Sequence, residues 1–152
     1  MRISAKVDYA VRAAIELATA GEDQLTKADA IAHAQDIPPK FLENILGDLR
    51  QGGLVRSQRG AEGGYRLARP AGEITLADII RVVEGPMASV RGGRPEDVEY
   101  AGSAEPLRRV WIAVRSALRQ VAEHVTLADL ASGRLPADVE ALTRVQDAWI
   151  TR

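Results

Sequence analysis

Two short helical patterns, separated by a very tight link and followed by two strand patterns, constrain the fold of this chain more than any other feature. The first of these helices is predicted to begin at Thr26, whose side chain can cap it, and Asp29 three residues later completes the cap. Only Gln35-Asp36-Ile37 separates it from the next helix, which Pro38-Pro39 opens because a proline loses no hydrogen bond in a first helical turn. Gly52-Gly53 is predicted to end that helix, since glycine takes the left-handed cap conformation without penalty.

A glycine-rich hairpin is predicted directly after these helices. Its strands cover Leu54 to Ser57 and Tyr65 to Ala68, and residues 58–64 form the turn. An earlier helix over 4–19, capped by Ser4, precedes the pair. Two short helices joined by a tight turn and followed by a hairpin are typical of a winged helix-turn-helix domain. We therefore predict a mainly α fold with a small β-hairpin, in which a winged helix-turn-helix domain is joined to a long dimerisation helix.

The helix that follows Pro38-Pro39 shows two different faces. Its predicted buried face comprises Phe41, Leu42, Ile45, Leu46 and Leu49, and its other face carries Lys40, Glu43, Asn44 and Gln51. A recognition helix meets base edges in the major groove, where asparagine can pair with adenine and glutamate can accept from cytosine. We interpret the polar face as a DNA-reading surface; the alternative for Glu43 is an ordinary solvated acid.

Arginines are concentrated in residues 50–69. Arg50, Arg56, Arg59, Arg66 and Arg69 stand there against the single acid Glu62, a local charge of +4 in a chain whose net charge is −1. Such a patch suits the phosphates of a duplex, and Arg59 at the hairpin tip suits the narrow minor groove. The alternative is a solvated hairpin with incidental arginines, but its place beside a helix-turn-helix favours DNA binding.

Two copies of one capping pattern lie in the second half of the chain. Thr75 with Asp78 and Thr126 with Asp129 each place an acid three residues after a threonine, which we interpret as two capping boxes rather than duplicated domains. A last amphipathic helix is predicted over Pro136 to Ile150.

A long helix is predicted from Ser103 to about His124. Its apolar residues recur at steps of three and four, a near-heptad stripe that comprises Leu107, Val110, Trp111, Val114, Leu118 and Val121. The helix is longer than a small N-terminal domain needs for its own core, so the stripe is left unexplained by that domain. We divide the chain into a DNA-binding domain at 1–85, a sensor or hinge loop at 86–103, and a dimerisation helix with C-terminal helices at 104–152.

Composition excludes several functional classes. The 152 residues contain no cysteine and two histidines, which rules out disulfides, cysteine-ligated metal sites and a multi-histidine cage within one chain. Ser57 and Ser103 have no histidine at a plausible supporting position, and His33 and His124 are interpreted as a packed or surface residue and a helix-end residue. We therefore expect no enzyme, no metal and no cofactor. The start of the chain lacks the apolar core of a signal peptide, and no apolar run would span a membrane, so we expect a cytoplasmic protein.

Four segments of the sequence carry a resemblance to a known family. Residues 5–13, 37–46, 54–68 and 74–80 resemble the Rrf-two family of bacterial transcription regulators, closely over about 1–86 and more loosely over the long helix. The most specific part is the wing pattern Arg-Gly-x-x-Gly-Gly-Tyr at 59–65 combined with Leu42-Glu43.

The resemblance implies a homodimer with crossed long helices at 104–124 that binds pseudo-palindromic promoter DNA. It also implies that Lys40, Glu43 and Asn44 face the major groove and that Ser57, Arg59 and Gly60 anchor the wing. The full set of candidate DNA-binding residues is Lys6, Thr26, Lys27, Pro38, Lys40, Phe41, Glu43, Asn44, Arg50, Ser57, Arg59, Gly60, Gly63, Gly64 and Tyr65.

The chain departs from the family at the positions that hold an iron–sulfur cluster. Cluster-binding members carry three cysteines in the loop before the long helix, and some use an acid and a histidine on the first helix. The loop here has no cysteine, and Asp8 and Arg12 stand where the acid and the histidine would be. The resemblance therefore implies a cysteine-free branch without a cluster.

The control mechanism stays open at this point. A small-molecule effector could bind between the loop and the dimer helices, with Arg91, Arg94 and Tyr100 as candidate polar contacts. The main function that we predict is a homodimeric regulator, a repressor more readily than an activator, controlled by an unknown ligand or partner. The alternative is a protein-interaction module whose long and terminal helices dock a metabolic enzyme.

Overall fold

The computed structural model describes residues 2–151 of the chain. The elements in chain order are α1 (Ala5–Ala20), α2 (Ala28–Gln35), α3 (Pro39–Gln51), β1 (Val55–Gln58), β2 (Gly64–Leu67), α4 (Leu76–Glu84), α5 (Leu107–Ala122), α6 (Leu127–Ser132) and α7 (Ala137–Thr143). Short 3₁₀ helices lie at Ala71–Glu73, Pro95–Asp97 and Gly102–Ala104. The predicted fold class is confirmed: the chain is mainly helical and carries one two-stranded antiparallel hairpin in the part described.

The core lies between α1 and the helix-turn-helix formed by α2 and α3. Ser4 caps α1 as predicted by accepting the backbone N–H of Val7 at 3.2 Å. Leu42, Ile45, Leu46 and Leu49 of α3 are fully buried against α1, which fixes the direction in which the opposite face of α3 points. The predicted stop also holds, since α3 ends at Gln51 and Gly53 takes the left-handed conformation at φ 74°.

The predicted burial of Phe41 is wrong. Its side chain is 41% exposed, because the buried stripe of α3 runs through positions 42, 45, 46 and 49 and leaves position 41 at its rim. The Phe41 ring meets the edge of Tyr9 in α1, with ring centroids 5.5 Å apart and planes at 83°.

The predicted start of α2 is also wrong. Lys27, not Thr26, stands at the N-cap position, and no side chain caps the helix there. Thr26 instead pairs with Tyr65, and their backbone N–H and C=O groups exchange two hydrogen bonds of 2.8 Å. This pairing draws Thr26 into an extended conformation beside β2 and ties the start of α2 to the wing. The strands themselves lie within one residue of their predicted bounds.

The two capping boxes are both present and lie side by side. The hydroxyl of Thr75 accepts the backbone N–H of Asp78, and the Asp78 carboxylate accepts the backbone N–H of Thr75. Thr126 and Asp129 form the same two bonds. Thr75 and Thr126 also form an antiparallel bridge, so α4 and α6 start at the same place. Leu127, one residue after the second cap, is fully buried in the core that α1 and α3 form. The domain division at 104 stays a prediction, but α6 packs into the N-terminal core.

Two helices are shorter than predicted. The chain forms a 3₁₀ turn at Gly102–Ala104, and α5 starts only after Pro106 and spans 16 residues, about 24 Å. α7 ends at Thr143 instead of reaching Ile150, because the indole N–H of Trp149 donates to the Thr143 carbonyl at 2.6 Å. In a continuing helix that carbonyl would accept the backbone N–H four residues on.

Across residues 2–151, no helix has both the length and the apolar character needed to cross a bilayer.

Candidate nucleic-acid interface

The exposed face of α3 forms the centre of the candidate site. Lys40, Glu43, Asn44 and Gln51 are exposed, as predicted from their spacing, and Phe41 joins them at the rim. Phe41, Glu43, Asn44 and Gln51, together with Lys6 in the first turn of α1, border an open concave surface of about 840 Å³. Side chains with both donors and acceptors therefore project from one rigid helix, which is the arrangement that base-edge recognition requires.

The wing is a short hairpin whose turn depends on glycine. β1 and β2 pair in the register Val55↔Leu67 to Gln58↔Gly64, and the backbone N–H of Gly63 donates to Gly60 at 3.0 Å to close the turn. A Cβ at Gly63 would lie 2.1 Å from the Gln58 carbonyl oxygen, so only glycine fits there. Gly60 has φ 103°, a conformation that side chains disfavour. The predicted wing turn is therefore fixed by backbone contacts.

A hydrogen bond joins α3 to the wing. Arg50 near the end of α3 donates through Nη1 to the hydroxyl of Ser57 on β1 at 3.3 Å. The same two residues border a second concave surface with Lys27, Gly60, Gly63, Gly64 and Tyr65. Twelve of the predicted DNA-binding residues thus line two adjoining concave surfaces, which both include Arg50; the twelve are Lys6, Lys27, Phe41, Glu43, Asn44, Arg50, Ser57, Arg59, Gly60, Gly63, Gly64 and Tyr65.

The arginines of residues 50–69 differ in how free their charges are. Arg66 lies 3.9 Å from Asp23, and Arg69 lies 3.6 Å from Asp78. Arg56 and Arg59 are exposed on the wing and form no ion pair with any residue between 2 and 151. The free positive charge is therefore smaller than the sequence count indicates, and it is centred on Arg50, Arg56 and Arg59.

The N-terminal part of α1 braces the helix-turn-helix. Arg12 lies over the Tyr9 ring at 4.7 Å, pairs with Asp8 at 3.0 Å and donates to the backbone carbonyl of Gln35 at 2.7 Å. Gln35 is the last residue of α2, so this arginine fixes the end of α2 relative to α1. Asp8 and Arg12 are therefore joined to each other, which agrees with the inference that they do not form an acid–histidine ligand pair.

Sequence reasoning missed two residues of this surface. Asp48 pairs with Lys6 at 2.7 Å, and Gly47 lies beside it on the same face of α3. Gly47 could have been found from the sequence, because a glycine inside a strong helix pattern weakens the helix and so suggests another role. The Asp48 pair had no such signal, since its partner lies on another element 42 residues away in the chain (48 less 6).

The remaining predicted candidates lie elsewhere. Pro38 is exposed at the start of α3, and Thr26 is engaged with Tyr65 through its backbone. On α5, five residues of the apolar stripe are half-buried and Val110 is 50% exposed, so residues 2–151 leave the stripe partly uncovered; the five are Leu107, Trp111, Val114, Leu118 and Val121.

The loop at 86–103 is docked on α5. Pro95 and Val98 are buried, Glu96 pairs with Arg115 at 2.6 Å, and the Trp111 indole donates to the Tyr100 hydroxyl at 3.1 Å. The candidate effector contacts are not brought together, because Tyr100 is engaged by Trp111 whereas Arg91 and Arg94 are exposed.

Three carboxyl groups at this end of the molecule have a pKa below the ordinary range. The pKa of Glu96 is lowered by its own backbone N–H and by Arg115, and that of Glu123 is lowered by donation from Arg119 and Arg81. The pKa of Asp138 is lowered by His124, whose Nδ1 lies 2.8 Å from the carboxylate. These contacts hold the loop against the middle of α5 and hold α4 and α7 against its C-terminal end.

A match to a protein-family model identifies the family of this chain. The model described as "Rrf2: Iron-dependent Transcriptional regulator" matches residues 3–133. The chain belongs to the Rrf2 family. It is a DNA-binding transcription regulator of the winged helix-turn-helix type, as predicted, and its Rrf2 relatives are regulators rather than enzymes.

Relatives match over most of their length. The protein Rv1287 of Mycobacterium tuberculosis (strain H37Rv), named as an HTH-type transcriptional regulator, is 52% identical over 142 residues, 93% of this chain and 88% of that protein. CymR of Bacillus subtilis is 40% identical over 133 residues, 87% and 91% of the two chains. The solved structure of CymR, described as the global cysteine regulator of B. subtilis, has a TM-score of 0.74 at 39% identity and covers 88% of this chain and 98% of its own. The structure of T. potens IscR has a TM-score of 0.71 at 32% identity and covers 96% of this chain and 93% of its own.

Iron does not fit the residues of this Rrf2 protein. The sequence has no cysteine, and within 2–151 no three His, Asp or Glu side chains come together as a metal site. The position on α1 that a histidine would occupy is held by Arg12, a cation that pairs with Asp8 and donates to the Gln35 carbonyl. The iron dependence that the family description names therefore has no ligand set here.

Proposed function

We propose that the chain acts as a homodimer that reads the two halves of a pseudo-palindromic operator and represses transcription in the cytoplasm without an iron–sulfur cluster. The observation that carries this proposal is the pairing of an exposed polar α3 face with a basic, glycine-closed wing, joined by the Arg50–Ser57 hydrogen bond. Two such units related by a twofold axis would meet half-sites about one helical turn apart.

The unpartnered stripe of α5 supports the dimer. Six apolar residues recur along one face of this helix, and the contacts of α5 within the chain leave them only half covered: Leu107, Val110, Trp111, Val114, Leu118 and Val121. Pairing two copies of α5 would bury this stripe, as in other helix pairs with apolar residues at steps of three and four.

Roles for individual residues follow from their placement. Glu43 and Asn44 would contact base edges in the major groove, since both are exposed near the middle of α3. Lys40 and Arg50 would bind phosphates, and Arg59 would enter the minor groove beside the half-site.

Control would act through the docked loop at 86–103. The loop is bonded to α5 through Glu96 and Tyr100, so a ligand or partner that displaces it would change how the two DNA-binding units are held. Screening of metabolites by thermal shift, compared between the parent and a variant in which a short glycine–serine link replaces 88–100, tests this control. A stabilising metabolite lost in the variant supports it; unchanged DNA binding and no stabilising metabolite contradict it.

The proposed function is tested by selection of genomic DNA fragments with the purified, metal-free protein. We expect enrichment of a short palindrome that is bound tightly without added metal. Enrichment of fragments without twofold symmetry would contradict dimeric reading, and no enrichment at all would contradict sequence-specific binding by the free protein.

Variants of the reading surface test the assigned residues. Arg59→Ala is expected to weaken binding to every duplex and to lower the slope of log affinity against log salt by about one per chain. Arg69→Ala removes the same charge from an arginine already paired with Asp78, so its effect is expected to be small. Glu43→Ala is expected to change which sequences are preferred. Parent-like binding by both Arg59→Ala and Glu43→Ala would show that another surface reads the DNA.

A second candidate is a regulator that is itself controlled by a docked protein. A group of apolar side chains near the end of the described chain is more than half exposed: Leu142, Val145, Trp149 and Ile150. A protein that binds the parent with a defined stoichiometry and is lost with Trp149→Ala supports this candidate. A parent whose DNA binding no protein fraction alters contradicts it.

A further inference from the structure

An ion pair lies on the surface that we assign to DNA. Lys6 in the first turn of α1 and Asp48 in the second half of α3 are joined at 2.7 Å, and each side chain is 38% exposed. Both border the same concave surface as Glu43 and Asn44. A carboxylate and an ammonium group are thus held together where phosphates would approach.

The pair has little to do with the stability of the fold. Half-exposed ion pairs contribute little because water screens them, and the core of α3 is already fully buried on its other side. Nor does the pair help to hold DNA at random, since the Asp48 carboxylate repels phosphates and occupies a lysine that would attract them. The position of the Lys6–Asp48 pair instead suits discrimination between operator and non-operator DNA.

Non-specific and specific binding make different demands on Lys6. Non-specific binding depends almost entirely on phosphate contacts and counterion release. A loosely bound duplex must compete for Lys6 with a carboxylate already at 2.7 Å, whereas a duplex whose bases are contacted by Glu43 and Asn44 is drawn close along the whole of α3. Only in the second case does the DNA backbone come near enough to replace Asp48 as the partner of Lys6.

We propose that Asp48 is a specificity-determining residue, which retains Lys6 in an internal ion pair against non-operator DNA and releases it when α3 is seated in the major groove of an operator. This inference rests on the proposed function. It adds that part of the discrimination comes from a residue that holds back a cation.

The test is the salt dependence of binding by Asp48→Asn, a variant of nearly the same shape that lacks the charge. Two probes are used: the duplex enriched in the genomic selection, and a duplex of the same length and composition with a shuffled sequence. We expect affinity for the shuffled duplex to rise several-fold and its log–log salt slope to steepen by about one per chain. The slope for the enriched duplex is expected to stay unchanged, because Lys6 already contacts phosphate there.

Lys6→Gln provides the reciprocal measurement. We expect it to lower the slope for the enriched duplex by about one per chain and to change the slope for the shuffled duplex by less, since Lys6 makes no phosphate contact there and the only effect is the uncovered Asp48 charge. In the double variant with Asp48→Asn, the gain in shuffled-duplex affinity is expected to shrink markedly, since no lysine is left to release. Glu140→Gln, which breaks the 3.8 Å pair with Arg144 at α7 and lies outside both concave surfaces, is the matched control and should change neither slope. Urea unfolding of each variant confirms that the fold is intact.

Each other outcome overturns the inference. Equal steepening of both slopes would mean that Asp48 only repels phosphates without discrimination, and no change in either slope would reduce the pair to a local structural contact. In both cases the parent would still distinguish the two duplexes, so the proposed function would stand. A parent that does not distinguish them overturns the proposed function and, with it, the role of Asp48.

Discussion

At the scale of single residues, Gly47 is informative because it occupies the middle of α3 without an internal reason. A Cβ built there meets no atom within 4 Å, so no neighbouring side chain requires its absence. Glycine in a helix interior costs roughly 0.5–1 kcal/mol relative to alanine. It lies on the concave face between the residues assigned to base contacts, Glu43 and Asn44, and the end of the helix at Gln51. The open space above it is where a base edge would lie.

Replacing Gly47 by alanine is therefore expected to move stability and DNA binding in opposite directions. The free energy of unfolding should rise by about 0.5–1 kcal/mol, as measured by urea denaturation. Affinity for the operator duplex should fall, as measured by fluorescence anisotropy, because the new methyl group fills the space that the DNA needs. A gain in stability with unchanged affinity would show that the DNA does not use this space.

At the scale of elements, the loop at 86–103 is ordered and packs on α5. It carries two buried side chains, Pro95 and Val98, and it is bonded to α5 by Glu96 and Tyr100. Its turns include a tight bridge between Val90 and Gly93. The loop is therefore held along α5 by these side chains.

Acid is expected to weaken the contact between the loop at 86–103 and α5. The pKa of Glu96 is below its ordinary value of 4.5, because its own backbone N–H and Arg115 both donate to the ionised carboxylate. A lowered folded-state pKa gives a contribution that is fully present above the unfolded value and is lost as pH falls through the folded one. The indole N–H resonance of Trp111, followed by NMR, should report release of the loop only as the pH falls below the ordinary carboxyl value of 4.5.

Glu96→Gln is the control for that titration. This variant cannot ionise at position 96, so its Trp111 resonance should lack the acid transition that Glu96 causes. An identical transition in the parent and in the variant would assign the acid sensitivity to other carboxyl groups.

How far the sequence predicted these elements depends on the range of the contacts that form them. The capped starts at Ser4, Thr75 and Thr126 rest on bonds within three residues, and all were predicted. The start of α2 was not, because Thr26 is held by Tyr65 from a distant strand. The polar face of α3 follows from helical spacing alone, whereas the Lys6–Asp48 pair depends on how α1 lies across α3, which periodicity does not encode.

At the scale of the whole molecule, dimerisation is expected to depend on the apolar stripe of α5. Val110 is half exposed, so Val110→Glu should leave the folded chain intact while placing a charge in the proposed interface. We expect a monomer in sedimentation equilibrium and a marked loss of operator affinity, because two linked contacts become one. Ser116→Glu, exposed on another face of α5, is the control and should remain dimeric. A dimeric Val110→Glu variant would assign the interface to a different surface.

The return of α6 to the N-terminal core makes the C-terminal half part of the same folding unit. Leu127→Ala is expected to cost about 2–5 kcal/mol of unfolding free energy, since a fully buried leucine leaves a cavity beside α1. Leu130→Ala, at a partly buried position of the same helix, should cost less. Urea denaturation of both variants measures the difference. Equal and small losses would show that α6 adds little to the core.

The closure of the core by α6 also bears on how such a regulator can be rebuilt. A reading head that ends at residue 85 would lack Leu127 and the backbone bonds between Ile74 and Leu127 and between Leu76 and Val125. Recombination that joins the first half of the gene to an unrelated second half would expose the core residues that Leu127 covers. Exchange of the segment between α4 and α6 as an insert, with both of its ends preserved, would therefore keep the core closed, whereas fusion of a foreign module after α4 would leave it open.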